Sequence, residues 1–297
     1  MAILGHTLAR LAEAGCEAIA VNLHYLGGSI RQRFGDSYLG LPLTWSEEPE
    51  VLGTLGALYP LRDFFAPADL VLVVNGDSLC DWPFPALIRR HLSSDVCSTL
   101  LLTSRPDPAD FGGGVGIDRE GRILSFRAGA PERGEAVSRH VFAGAHVFAP
   151  GLLAGLQPGK SDIVQDLYVP MLAAGEAIGS LVDGGPWHDM GTPQRFLDGA
   201  LDRGSWISPE ASVAAEAKVL RSSIEPGVTV EKGARIESSV LLPGARIGEG
   251  CDVRESIIGF GAEVAPGARV ERQIAMPGEG GTVYTPFPRG TEREIEG

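Results

Sequence analysis

The chain has 297 residues, 44% of them hydrophobic, and a mean hydropathy of +0.07, which fits one or two globular domains with a sizeable core. A net charge of −13 and a pI near 4.9 argue against a nucleic-acid binder or a protein of anionic membrane surfaces. No apolar run reaches membrane-spanning length and no charged-then-apolar leader is read, while Cys16, Cys80, Cys97 and Cys251 show neither metal-ligand spacing nor close pairing, so a reduced, cytoplasmic protein is expected.

Taken in chain order, the elements begin with Ile3, Leu4, Thr7, Leu8 and Leu11 at helical spacing, stopped by Gly15. Ala18 to Leu23 reads as a strand, the segment around Ser29–Phe34 as a helix and Leu41–Trp45 as a strand. Gly53–Phe65 is expected to be helical and Leu70–Asn75 a strand. Pro85–Leu92 reads as helix and Val96–Thr103 as strand. Such alternation predicts a mostly parallel sheet covered by helices. From Gly112 to Phe148 shorter strands and turns such as Asp118-Arg119-Glu120-Gly121 suggest an antiparallel addition that walls a pocket. Helix Ile163–Ala174, strand Ile178–Val182 and helix Pro193–Leu201 close this domain near residue 202.

From Trp206 the texture changes. Aliphatic residues recur at steps of six, six and five: Ile207, Val213, Val219; Ile224, Val230, Ile236; Leu241, Ile247, Val253; Ile258, Val264, Val270. Gly227, Gly244 and Gly261, then Gly233, Gly250 and Gly267, keep the same 17-residue step, as do Ser222, Ser239 and Ser256. Four passes in register predict a three-faced parallel β-helix with one aliphatic side chain per face turned inward and glycines at the corners. The division expected is therefore 1–202, then 203–272 for the β-helix, then 273–297 as a cap and acidic tail. Exposed ends of such a stack favour capping or homo-oligomer formation.

Two carboxylates attract a functional reading. Leu70-Val71-Leu72-Val73-Val74-Asn75-Gly76-Asp77 is an apolar run, read as a central parallel strand, that ends in an Asp. Ligands of open α/β sheets gather at such strand ends. Trp187-His188-Asp189-Met190-Gly191-Thr192-Pro193 supplies a second Asp far downstream. Each alone also suits a helix cap. Together, in this order, they favour a Mg²⁺ held between protein and phosphates.

These two segments, with Ser46-Glu47-Glu48-Pro49 and Leu52-Gly53-Thr54-Leu55-Gly56-Ala57-Leu58, resemble the sugar-1-phosphate nucleotidyltransferases. The mannose-1-phosphate guanylyltransferase-like branch, with a C-terminal left-handed β-helix, is the nearest in pattern. The resemblance spans residues 1 to about 272. It implies an α/β, Rossmann-like nucleotidyltransferase domain, and transfer of a nucleotidyl group from a nucleoside triphosphate to a sugar 1-phosphate with release of pyrophosphate. Positioning and charge neutralisation carry such chemistry. The resemblance makes Asp77 and Asp189 the catalytic Mg²⁺ ligands. It places Glu48, Gly53, Thr54, Asn75 and Gly76 at the nucleotide, and Gly112 and Gly144, in Phe111-Gly112 and Phe142-Ala143-Gly144, at the sugar. Those two glycines read equally well as ordinary strand glycines.

A carboxylate at Glu48 could accept two hydrogen bonds from guanine, against one from uracil or thymine. That favours GTP modestly, and the resemblance puts mannose 1-phosphate first, with UDP- or dTDP-sugars next. Lys160 and Arg139 could supply positive charge to a phosphate but are read first as solvated surface cations, and His188 as structural or as supporting the neighbouring Asp189.

Two departures qualify the resemblance. The Glu-Lys-Pro segment of the family reads Ser125-Phe126-Arg127-Ala128-Gly129-Ala130-Pro131 here, leaving Arg127 as a substitute for the Lys. The family also opens with a strand and a Gly-rich loop bearing an Arg and a downstream Lys, and this sequence opens on the helix that follows them. A fragment or a misplaced start codon is expected, with unpaired central backbone, exposed apolar surface and little or no turnover. A non-catalytic subunit that keeps the fold is the reading from another class. An acyltransferase built on the β-helix is disfavoured, since no His follows His188.

Overall fold

The computed structural model describes residues 2–127, 134–202 and 204–288. It divides into two compact units, Met1–Trp187 and His188–Gly297. Residues 128–130 and Pro131, part of the segment expected to meet a sugar phosphate, lie outside the described residues, as does 289–297 of the expected tail.

The first unit is mixed α/β. Its organising element is the 11-residue strand Ser138–Phe148. Val141, Ala143, Ala145 and Val147, at alternate positions, bury one face of this strand at 2% exposure or less, and His146 and Phe148 bury the other. Its C-terminal half carries Val71–Val74 on one edge and Ser98–Thr103 on the other, both antiparallel. Its N-terminal end pairs with Val115–Ile117, which pairs with Ile123–Ser125. Ile178–Asp183 extends the sheet parallel to Ser98–Thr103. A separate three-stranded sheet joins Ile19–Leu23 in parallel with Leu41–Glu47, to which Ser37–Tyr38 adds.

Four expectations are corrected here. The continuous, mostly parallel sheet is two sheets, and strand 70–75, read as parallel, pairs antiparallel. Apolar continuity reports a buried strand and is silent on its partner's direction. Among the described residues Ile19–Leu23 pairs only with Leu41–Glu47, and Val71–Val74 only with Ser138–Phe148. Val21, Leu72 and Val74 are half-buried in one cluster that also packs Leu8, Leu43 and Leu87. The helix expected over 53–65 is broken into Gly53–Gly56, a 3₁₀ turn Tyr59–Leu61 and Arg62–Phe65. Pro60 enters at the break, where it has no N–H to give to a continuing helix. The helix expected over 163–174 opens as a π-helical turn, Val164–Tyr168, before Val169–Ala174.

One buried polar chain crosses the second core cluster. The Tyr168 hydroxyl meets His146 Nδ1 in a short contact and lies 3.0 Å from Ser98 Oγ, which donates to the Val147 carbonyl at 3.2 Å. Burial lowers the His146 pKa to about 3, so the ring is neutral.

In the second unit, helix Pro193–Leu201 packs Leu197 against Val240, Ile257 and Phe287. The remainder is a parallel β-helix of three sheets. Trp206–Ile207, Ser223–Ile224, Val240–Leu241 and Ile257–Ile258 stack on one face, in a register of 17 residues per coil. Ser212–Val213 and Lys218–Leu220 begin the other two faces with the same register. Ile224, Val230, Ile236, Leu241, Ile247, Val253 and Ile258 point into the stack at 1% exposure or less. The period runs on past 272: Ile274 and Ala275 pair with Ile257 and Ile258, and the hairpin to Gly281–Pro286 closes that face.

From Gly227 on, glycines turn two corners of the coil, at Gly227, Gly244 and Gly261 and at Gly233, Gly250 and Gly267. The third is turned by Arg221, Ser238, Glu255 and Arg272, all left-handed with φ between 44° and 54°. The serine that follows each of the first three makes this possible. Ser222, Ser239 and Ser256 are fully buried. Each hydroxyl donates to the carbonyl two residues back and accepts the N–H of the residue one coil on, at 3.1, 3.0 and 3.2 Å. The four free cysteines are buried or half-buried, and among the described residues no helix is long and apolar enough to cross a membrane.

Ser239→Ala removes two hydrogen bonds from a dry corner and is expected to cost about 1–3 kcal/mol in urea unfolding. Ser212→Ala, at an exposed strand position, is expected to stay within about 0.5 kcal/mol of the parent. His146 holds a folded pKa below its unfolded value of 6.5, so the unfolded chain binds its proton first on acidification. Stability is fully present above pH 6.5 and falls towards pH 3, with a loss of about 2 kcal/mol at pH 5 from this ring. The Tm drop between pH 7 and pH 5 is expected to shrink in His146→Gln.

Candidate active site

The segment read as gripping a base is a stitched turn. Glu48 ends the strand-to-turn passage and is only 6% exposed. Its Oε1 accepts from Asn22 Nδ2 at 2.9 Å and its Oε2 from the Leu52 N–H at 3.1 Å. Its own N–H donates to the Leu23 carbonyl at 2.7 Å, and its carbonyl takes the His24 Nδ1–H at 2.8 Å. The carboxylate therefore clamps the turn to the neighbouring strand.

Gly53 follows with φ +76°, and a side-chain carbon there would lie 2.5 Å from the Ser161 carbonyl oxygen. That carbonyl accepts from Leu55 and Gly56 at 3.0 and 3.2 Å, while the Ser161 N–H donates to Leu52 at 2.9 Å. The Thr54 hydroxyl donates to Asp162 at 3.3 Å and accepts from the Ile163 N–H at 2.9 Å. The close backbone approach that Gly53 permits is to residue 161. Asp162 in turn caps the π-helical turn through the Val164 and Gln165 N–H groups. Beside this seam lies an open cavity of 450 Å³, lined by Leu55, Leu153, Leu156 and Lys160 among others.

The strand end Asn75-Gly76-Asp77 is exposed. It is fixed from below: the Asn75 N–H donates to the Gly144 carbonyl at 2.7 Å. Gly144 has φ +82°, and a side chain there would run into the Asn75 amide at 2.8 Å. Next to it, the Ala143 carbonyl accepts the Trp187 indole N–H at 2.9 Å. Trp187 also meets Phe111 edge to face, with ring centroids 5.7 Å apart. Three motifs distant in sequence, at 75–77, 111–112 and 143–144, are thus joined through Gly144 and Trp187.

Gly112, Gly113 and Gly114 all adopt positive φ in the loop after Phe111. Arg139, expected on the solvated surface, is instead half-buried and grips this loop. Its Nε donates to the Gly113 carbonyl at 2.7 Å, its Nη2 to Gly114 at 3.2 Å, and both terminal nitrogens reach Ser125 Oγ. Lys160 is exposed, as expected. Arg127 donates to Gln165 Oε1 at 3.2 Å.

Asp189 belongs to the second unit and Asp77 to the first. The Asp189 side chain is 10% exposed. Its Oδ1 accepts the Gly191 N–H at 2.8 Å, and its Oδ2 is paired closely with the Arg195 guanidinium. Thr192 caps helix Pro193–Leu201 by accepting the Arg195 N–H at 3.3 Å. His188 Nε2 lies 3.3 Å from Asp202 Oδ2. Asp77 and Asp189 are the hard oxygen donors that Mg²⁺ prefers. Among the described residues no three His, Cys, Asp or Glu side chains form an all-protein metal cluster.

Sequence reasoning missed Asn22, Ser161 and Arg195, and it set Arg139 on the surface. Only Arg139 carried a signal, as a charged residue inside an otherwise apolar strand pattern facing a run of three glycines.

Comparison with known proteins adds two matches. Residues 1–204 match the family described as nucleotidyl transferase, and residues 202–285 match the GMPPB C-terminal domain. A mannose-1-phosphate guanylyltransferase of Mycobacterium tuberculosis is 30% identical over 213 residues, 71% of this chain and 58% of that protein. The mannose-1-phosphate guanylyltransferase catalytic subunit beta of Dictyostelium discoideum is 28% identical over 201 residues, 67% of this chain and 55% of that protein. The Danio rerio protein of the same description is 28% identical over 201 residues, 66% of this chain and 54% of its own length. The chain thus spans little more than half the length of these relatives.

Gly53→Ala is expected to lose about 1–3 kcal/mol, because strain at positive φ adds to the overlap with Ser161. Gly76→Ala, with no atom within 4 Å of the added carbon, is expected to melt within a degree or two of the parent. Thermal unfolding of the two variants side by side checks both.

Proposed function

The chain belongs to the nucleotidyl transferase family, and from that membership we propose that it binds GTP and mannose 1-phosphate and joins them to GDP-mannose and pyrophosphate. One observation carries the reading: Gly144 and Trp187 draw the exposed Asn75–Asp77 strand end, the Phe111-Gly112 loop and the Ala143-Gly144 backbone together in one unit.

In this reading an oxygen of the sugar phosphate attacks the α-phosphorus of GTP, a new P–O bond forms, and the bond to the β-phosphate bridging oxygen breaks as pyrophosphate leaves. No proton acceptor is required beyond the phosphate oxygens themselves, so the work of the protein is placement and charge control. Asp77 and Asp189 would hold Mg²⁺, which supplies charge neutralisation at the phosphates, with its remaining ligands from substrate and water. Glu48, already committed to Asn22 and Leu52, would act by holding in place the Gly53–Gly56 turn beside which the base would sit. Arg139 holds the glycine loop that faces the sugar. Self-association through the β-helix end fits the exposed Phe260, Met276 and Val283 near its last strands.

A second reading, a subunit that binds substrate without turnover, is favoured by the single-sided pairing of Ile19–Leu23 and Val71–Val74 among the described residues.

The test is a thermal-shift panel of GTP, UTP, dTTP and CTP with Mg²⁺, run beside a pyrophosphate-release assay with mannose 1-phosphate. Stabilisation by GTP alone is expected, amounting to about 2.7 kcal/mol at a hundredfold excess over Kd. Asp77→Asn is expected to weaken it. Stabilisation by UTP or dTTP without GTP would replace the guanylyl assignment. A GTP shift with no pyrophosphate would establish the second reading.

A further inference from the structure

The first turn of a helix favours negative charge, because its N–H groups and dipole point outward there. Helix Pro193–Leu201 breaks this rule. It is capped by Thr192, opens on Pro193, and carries Arg195 in its first turn with no acidic residue beside it. What offsets the unfavourable position is Asp189. The two side chains are 12% and 10% exposed and in close contact, so the guanidinium and the carboxylate desolvate one another.

The other oxygen, Oδ1, accepts the N–H of Gly191, two residues on, at 2.8 Å. The orientation of the carboxylate is therefore set by backbone on one side and by a full positive charge on the other. A divalent cation approaching Oδ2 would meet that charge at contact distance, where repulsion is strongest and least screened.

We propose that Arg195 acts as a built-in counter-cation of Asp189, occupying the charge position of the metal and setting how readily Asp189 can ligate one. The inference rests on the reading of Asp189 as a metal ligand. Without a metal, the pair keeps a nearly buried carboxylate compensated. On metal entry, the guanidinium gives up Oδ2 and is free to turn towards an anionic group arriving with the ion. Arg195 is a positioning residue in this account, since it acts through Asp189.

Mn²⁺ is the probe, followed by EPR of the free ion in titrations of the full chain without nucleotide. Arg195→Gln is expected to bind Mn²⁺ at least tenfold more tightly than the parent. Arg195→Lys, which keeps the charge, is expected to restore weak binding. Asp189→Asn combined with Arg195→Gln is expected to lose the gain. Equal affinity in the parent and Arg195→Gln overturns the proposal, as does a gain that survives Asp189→Asn.

A second measurement uses the unaltered chain, so it does not depend on a variant that folds. The Nε–H NMR signal of Arg195 is expected to shift as Mg²⁺ is added, and a signal that stays fixed up to saturation overturns the proposal. The substrate reading stands or falls separately on the nucleotide panel: a Mn²⁺ gain in Arg195→Gln with no nucleotide shift would remove GTP and leave the counter-cation in place.

Discussion

The strand Ser138–Phe148 is the constraint on which the first unit depends. Because its backbone is paired on both edges, its side chains cannot slip by one residue without turning the whole apolar set outward. That register delivers three separate services. Gly144 comes under Asn75, Ala143 offers its carbonyl to Trp187, and Arg139 reaches the carbonyls of Gly113 and Gly114. His146 falls on the same strand and anchors the Tyr168–Ser98 chain, which ties the π-helical turn to the sheet. The turn then closes back through Asp162 and Ser161 onto Thr54 and Gly53. One ladder of backbone hydrogen bonds thus fixes both the Gly53–Gly56 turn and the Gly112–Gly114 loop.

Much of this was legible in the sequence, and for identifiable reasons. The β-helix could be read almost residue by residue, because a 17-residue coil repeats the same physical demand at each step and four repetitions leave little ambiguity. Most helices and strands of the first unit were visible from periodicity. Partner choice was not. Val71–Val74 announces burial and nothing about direction, so its antiparallel pairing with Ser138–Phe148 emerged only in three dimensions. Gly53–Phe65 looks helical by composition, yet Pro60 and the tight seam with Ser161 divide it.

The candidate site was legible as a set of motifs and not as a set of roles. Gly53 and Thr54 were read as approaching a base, while their visible commitments are to Ser161, Asp162 and Ile163. Glu48 was read as a free carboxylate, while both of its oxygens are in use. Arg139 was read as solvated, while it holds the carbonyls of Gly113 and Gly114, both in left-handed geometry. In each case part of the missing information is a contact more than 20 residues away, which local pattern cannot encode. Motif glycines and acids therefore mark where a site is built more reliably than which atoms meet the ligand.

The serine corner also constrains how the second unit can change over generations. Each hydroxyl reaches a residue one coil further on, so the ladder tolerates insertion or loss of chain only in whole coils of 17 residues. A shorter or longer insertion would put a non-serine under the next N–H and a β-strand where a corner must be. Whole-coil changes, in contrast, would lengthen or shorten the stack by about 4.8 Å each, the spacing of neighbouring strands. The unit behaves as a graduated spacer: related chains should differ in its height by discrete steps, with the surface at its far end moved by the same increments.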